Sequence, residues 1–393
     1  MLIDLDVPPA PAPERSRRAI PWRRIRAAAV AAVLLLLGAA AAPPRIASFP
    51  RIGGTGGHAS TNVLLTPEAL YTVQPADGGD GVDLVAQPMR PGGPDWRIET
   101  GLSGGPDLRL FRSGPVLVAA DATEFRVLDA ATGKDVWSPL GPATVTGDRV
   151  LLGDSGDDGA SLLRLADLAT GRILWTRRGA ADLAMLDPTG RYLLTLEGLL
   201  GAEVRSAADG RVLAHRSVRE SIDPDNPLAV LAGDQAYVMG PNTLTALHLP
   251  DLTPVWAKPA SVLMPRDAVT CGALLCVQGD RGLTGVDPRT GAVRWTADGW
   301  HDYAGGVARS LDGRLVLIDP ATGRVTRRLG RGQVTDGLLL RAAGDHTEVT
   351  DLRTGLVYGT LPRVLPFGCT AAGDLVACQD QGATSVFRIR RGS

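Results

Sequence analysis

Helical periodicity is missing from this 393-residue sequence beyond Ala42, which argues against helical and α/β architectures for most of the chain. No Gly-x-Ser-x-Gly elbow, phosphate-binding loop or dinucleotide fingerprint is present, so the common routes to acyl transfer, phosphoryl transfer and hydride transfer have no foothold. Cys-x-x-Cys is absent, and His215, His248, His301 and His346 show no ligand spacing, so no metal site is expected. Lysine is almost missing: only Lys134 and Lys258 occur, and arginine supplies the other basic residues. With many alanines, glycines and prolines, that is the composition of a GC-rich, bacterial genome. The formal net charge is −1, so no bulk attraction to nucleic acid is expected and no nucleic-acid partner is assigned.

What is present is a repeat. Asp129-Ala-Ala-Thr-Gly133-Lys-Asp-Val-Trp137 returns as Asp167-Leu-Ala-Thr-Gly171-Arg-Ile-Leu-Trp175 and as Asp287-Pro-Arg-Thr-Gly291-Ala-Val-Arg-Trp295. Asp319 to Gly323 and Asp351 to Gly355 keep the Asp-x-x-Thr-Gly and lose the tryptophan. Strand-like residues flank each copy, so the chain must reverse between them. The Asp carboxylate can accept turn amides, and the Gly can take the left-handed position that closes a hairpin. Hairpin ends align at Trp96, Trp137, Trp175, Ala214, Trp256, Trp295, Arg327 and Gly359. Intervals of roughly 30–40 residues suit units of four short strands stacked as a propeller or solenoid.

The N-terminus reads differently. Residues 1–24 are Pro-rich and then Arg-rich, and are expected to be disordered and cytoplasmic. Residues 25–43 include the apolar run Ala27 to Ala42 and are expected to form one transmembrane helix, with the preceding arginines keeping the N-terminus inside. A cleaved signal peptide is the competing reading, since Ala40-Ala41-Ala42 resembles a cleavage site. Residues 44–65 read as a linker and residues 66–393 as the repeat domain.

The nine-residue repeat resembles that of the quinoprotein-type (PQQ-like) β-propellers, in a membrane-anchored bacterial form. The resemblance implies an all-β propeller of four-stranded blades in the wider WD40/YVTN-like group; the count of units and the need to close the ring favour eight blades, with seven the alternative. It implies that the repeat tryptophans, Trp137, Trp175, Trp256 and Trp295, pack between blades. Contacts should weaken where the pattern fails, at Ala214, Arg327 and Gly359. Residues Cys369 to Arg390 supply about three strands, so an N-terminal strand is expected to complete their sheet and remove an exposed edge.

Four cysteines fall as two close pairs, and hairpin geometry favours Cys271–Cys276 and Cys369–Cys378 disulfides outside the cytoplasm. Acidic stretches at 154–159 and 223–226 lack calcium-loop spacing and read as surface turns. Trp300-His301-Asp302-Tyr303 is a dense polar-aromatic cluster for which loop packing outweighs a pocket role. The family includes quinone-dependent oxidoreductases and non-enzymatic scaffolds. The vicinal Cys-Cys of the enzymes is absent here, and their calcium-binding residues cannot be matched. The expectation is therefore an anchored, extracytoplasmic binding scaffold for a protein or cell-envelope partner, with no catalytic residues and no cofactor. A quinoprotein oxidoreductase is the alternative.

Overall fold

The computed structural model describes residues 47–55, 62–76, 81–102, 108–121, 124–139, 141, 143–155, 161–179, 181, 183–197, 201–218, 228–240, 243–259, 266–364, 368–380 and 383–391. The expected helix at 25–43 and cytoplasmic segment at 1–24 lie outside these residues, as do the 223–226 turn and most of 154–159. No helix among the described residues is long and apolar enough to cross a membrane.

The described chain is a β-propeller of nine four-stranded antiparallel sheets. Blades 1 to 8 each use four consecutive strands, over residues 63–102, 109–137, 143–178, 183–216, 228–259, 267–298, 302–331 and 333–362. Blade 9 combines three strands at 369–388 with the N-terminal strand Arg51–Thr55, which pairs with Ala383–Arg388. This corrects the expected eight blades. The eight hairpin ends seen in the sequence each close their own sheet, and the sheet completed by the N-terminal strand is a ninth. It also replaces much of the expected 44–65 linker, since Arg51–Thr55 and Val63–Leu65 are both strands. Glycines at 53, 54, 56 and 57 concealed that strand by breaking any alternation of apolar residues.

The core is divided among the gaps between blades rather than gathered at one centre. Among the described residues there are nine apolar clusters, one for each neighbouring pair of blades. Leu65 and Leu70 of blade 1 meet Leu375, Ala377 and Val386 of blade 9, so the ring is closed. Second and third strands are buried on both sides, which is why Val116–Ala120 and Leu338–Leu340 read as unbroken apolar runs. Fourth strands are largely exposed.

Both disulfides join the first and second strands of their blades. Cys271–Cys276 has its Cα atoms 5.7 Å apart, and Cys369–Cys378, a directly opposed pair in the register, has them 4.0 Å apart.

Blade 8 carries an addition that the sequence pattern did not foretell. Ser48 bridges in parallel to Thr360, with Phe49 N–H donating to the Thr360 carbonyl at 2.9 Å and Thr360 N–H donating to the Ala47 carbonyl at 2.9 Å. The Phe49 ring lies over Gly359, where any Cβ would come within 2.6 Å of it. Phe49 is therefore the aromatic that blade 8 lacks in its own strand, and it is only 6% exposed. Truncating a buried aromatic to alanine costs about 3–5 kcal/mol. Phe49→Ala should accordingly lower the thermal midpoint as much as loss of a repeat tryptophan; an unchanged midpoint would show that the blade 8 edge does not need this strap.

Candidate functional site

In an antiparallel four-stranded blade, the turn between strands one and two and the turn between strands three and four emerge on the same side. The Asp-x-x-Thr-Gly turns therefore all share one face of the ring with the first hairpin turns. That face is the candidate site, because it gathers the repeat residues and two of the surface depressions.

Each repeat carboxylate is engaged by its own turn. Asp129 accepts the Thr132 N–H at 2.8 Å and its hydroxyl at 2.7 Å, and Asp167 holds Thr170 in the same way at 3.0 and 2.6 Å. Asp287 accepts the Arg289 N–H at 2.9 Å and pairs with Arg294 at 2.5 Å. Asp319 accepts the Ala321 N–H and the Thr322 hydroxyl at 2.9 and 2.8 Å. Asp351 accepts the Thr354 N–H and hydroxyl, at 2.6 and 2.7 Å, and the Tyr358 hydroxyl at 2.8 Å. These bonds favour the charged form. The carboxyls of Asp129, Asp167 and Asp319 are lowered chiefly by the threonine hydroxyl, and that of Asp287 by Arg294. Asp351 is lowered to about 2, first by the Thr354 amide.

The tryptophans reach forward to the next blade. The indole N–H groups of Trp96, Trp137, Trp175, Trp256 and Trp295 donate to the carbonyls of Ala130, Leu168, Ala207, Pro288 and Pro320 at 2.8–3.2 Å. Each acceptor directly follows the Asp position of the next repeat. The same indoles lie on Gly133, Gly171, Gly210, Gly291 and Gly323. At Gly171 φ is 68°, and an added Cβ would sit 2.6 Å from the Trp137 ring, so both backbone and space demand glycine there.

Two of the departures from the motif, at Ala214 and Gly359, are each met by a compensating residue, Leu252 and Phe49. Leu252, at φ 55°, occupies the glycine position of blade 5, and its partner position in blade 4 is Ala214. Both belong to one cluster with Leu247 and Leu249, so a large residue has moved from one side of the interface to the other. At blade 7 Arg327 takes the tryptophan slot against Gly355, with its Nε and Nη2 buried and without hydrogen-bond partners.

The remaining sequence candidates have local roles. His301 Nδ1 lies 3.3 Å from the Gly279 carbonyl, and Trp300 and Tyr303 pack into the blade 6–7 cluster. His248 sits 3.0 Å from Asp251 in the blade 5 turn, while His346 contacts Asp345. No group of three or more His, Cys, Asp or Glu among the described residues could hold a metal ion. With the repeat carboxylates engaged and both disulfides non-vicinal, the described residues do not fit a quinone–calcium pair.

Two depressions of about 330 and 660 Å³ meet on the turn face at blade 6. No motif flagged them, and their only sequence signal is Pro288, which replaces the Ala or Leu found after the Asp in the first two repeats.

The sequence matches the family model described as outer membrane protein assembly factor BamB over residues 82–221 and 200–393. A comparison with curated proteins finds no match. Among solved structures the chain is similar to BamB from Moraxella catarrhalis, at 12% identity over 86% of this chain and 99% of that chain, with a TM-score of 0.47. It is similar to Sqt1 from Chaetomium thermophilum, at 14% identity over 87% and 99%, with a TM-score of 0.51. Sqt1 from the same organism bound to the N-terminus of the ribosomal protein L10 is similar at 14% identity over 87% and 100%, with a TM-score of 0.50. At 14% identity the likeness to the two Sqt1 structures speaks for the fold alone.

The exchange between Ala214 and Leu252 is open to test. Ala214→Trp alone should overpack the interface at a cost of about 1–3 kcal/mol. Adding Leu252→Gly should recover that loss and relieve a left-handed leucine. If the double variant is no more stable than Ala214→Trp, the two positions are not partners.

Proposed function

The chain belongs to the family of PQQ-like propellers described as outer membrane protein assembly factor BamB, and from that premise we propose that it is a non-catalytic scaffold that binds a protein partner, tethered to a membrane by its N-terminal segment with the propeller on the extracytoplasmic side. One observation carries this reading. The chemistry of the repeat is spent inside the fold, with each repeat Asp committed to its turn and each repeat indole to the next blade. What remains for a ligand is a broad face of turns on a rigid ring, a surface suited to macromolecular recognition. The family's description names an assembly factor, and Sqt1, of the same fold, is bound to the N-terminus of the ribosomal protein L10 in a solved complex.

Placement at the membrane is supported by the arginines that precede the apolar run Ala27 to Ala42. The two disulfides support an oxidising compartment for the propeller. With a tag at residue 1, protease applied to spheroplasts should digest the propeller and spare the tag; a protected propeller would reject the orientation. The purified chain should neither bind pyrroloquinoline quinone with Ca²⁺ nor oxidise alcohols or sugars in a dye-linked assay. Stoichiometric quinone binding with turnover would replace the scaffold by an oxidoreductase.

A further inference from the structure

In seven of the nine blades the residue after the Asp position ties the two turns of its blade together. Its main-chain N–H donates to a carbonyl in the first hairpin turn: Met89 to Glu68, Ala130 to Pro115, Leu168 to Asp148, Ala207 to Arg191, Leu249 to Asp234, Leu352 to Gly337 and Ile389 to Asp374, all at 2.8–2.9 Å. Blades 6 and 7 carry a proline at this position, Pro288 and Pro320. In blade 7 the tie is made earlier in the chain, by Ile318, whose N–H donates to the Gly306 carbonyl in the first hairpin turn at 3.0 Å. In blade 6 the first hairpin turn lies further along. There the register, with Leu275 opposite Val286, puts Pro288 opposite Ala273, and proline has no N–H to give. The Ala273 carbonyl receives no such tie, and the two depressions meet at this point, sharing Gly272, Ala273, Leu274, Pro288 and Arg289.

Polar groups on blade 5 face the same opening. Gln235, 9% exposed, has a side-chain Oε1 that is buried without a partner. The equivalent residue of blade 1 is Ala69, so the carboxamide is not a general requirement of the fold. Tyr71 of blade 1 donates its hydroxyl to the Ala130 carbonyl at 3.1 Å. Tyr237, at the same position in blade 5 and likewise packed on its tryptophan, makes no such bond among the described residues. Burial raises the Tyr237 hydroxyl to about 12, so it stays protonated and able to donate. An unsatisfied buried polar group is costly, and a bound ligand would satisfy it.

From this arrangement we infer that the blade 5–7 groove is a docking site for an extended, apolar segment of a partner protein, opened by Pro288 and held in shape by the Cys271–Cys276 bridge. The inference rests on the scaffold reading above and gives it a place. A main-chain carbonyl, a carboxamide and a phenol form a neutral set that matches peptide amides, which both donate and accept. Leu274, Leu275, Ala232 and Pro320 offer an apolar lining. Charge does not favour an anion: Arg294 is paired with Asp287, and Arg289 shares the rim with Asp234. The chain already binds an extended segment of its own, since residues 47–49 add to blade 8 through main-chain bonds and seat Phe49. The disulfide spans the turn that has lost its tie, so Gly272 to Leu275 stay ordered while the groove stays open.

The test selects a displayed library of random nonapeptides on the immobilised full-length chain under non-reducing conditions. The enriched peptides are synthesised and titrated by fluorescence anisotropy. They should be rich in apolar residues. Pro288→Ala restores the N–H that ties the turn to Ala273, so it should weaken binding by about tenfold or more while the thermal midpoint holds or rises. Gln235→Leu should weaken binding by about five- to tenfold through loss of one hydrogen bond. Cys271→Ala with Cys276→Ala should weaken it as well, while Arg112→Ala, beside a separate depression at blades 2 and 3, should leave it unchanged. Peptides that bind Pro288→Ala and Gln235→Leu as tightly as the parent chain would overturn the groove and leave the scaffold reading standing. Failure to enrich any peptide would overturn the groove too, and the quinone assay then decides the wider reading on its own.

Discussion

The structure depends on one contact made repeatedly: an indole from the exposed strand of one blade lies on a glycine in the turn of the next. It joins two requirements in one place. The ring needs a bare backbone beneath it, and the turn needs a left-handed residue at the same position, so glycine answers both. The indole N–H then fixes the angle by donating to the carbonyl that follows the Asp position. A blade alone exposes both faces of a short sheet and cannot bury them. The contact faces one way around the ring, so each sheet is stabilised by the next, and the closing strand Arg51–Thr55 carries the series across the chain ends.

Much of this was legible in the sequence, because the contact writes its two halves into a nine-residue motif. The turns, the four-stranded units, the blade tryptophans and the disulfide pairs follow from it and from the cysteine spacing. So does the closing of the last sheet by an N-terminal strand, which pairs as expected. The count of nine and the place of that strand did not follow, because Arg51–Thr55 carries two glycines instead of the repeat and lies in a stretch that reads as linker. Nor did the matched departures. Ala214 and Gly359 look like defects when each repeat is read alone. They make sense only beside the residues that face them, Leu252 in the next blade and Phe49 more than three hundred residues earlier.

The groove shows a different limit. Asp287-Pro288 reads as one more variant of a tolerant turn, and proline is at home there because its carbonyl still accepts the Trp256 indole. Its consequence appears only when the sheet register puts Pro288 opposite Ala273. The same residue position thus does two jobs, one towards the preceding blade through its carbonyl and one within its own blade through its N–H. Substituting proline removes the second and keeps the first, which opens a surface site without weakening the ring. The bridge between Cys271 and Cys276 lies in the turn that this substitution releases.

The central claim is that indole and glycine act as one unit across the five blade boundaries that carry the pair. A double-mutant cycle at Trp137 and Gly171 tests it most directly, read by denaturant unfolding of the full chain. Gly171→Ala in the parent should cost more than the roughly 1–2 kcal/mol of a left-handed L-residue, because its Cβ also meets the ring. In the Trp137→Ala background only the backbone part should remain, giving a coupling of about 1 kcal/mol or more. Strictly additive losses would contradict the account and would mean that the tryptophans and the glycines stabilise the propeller separately.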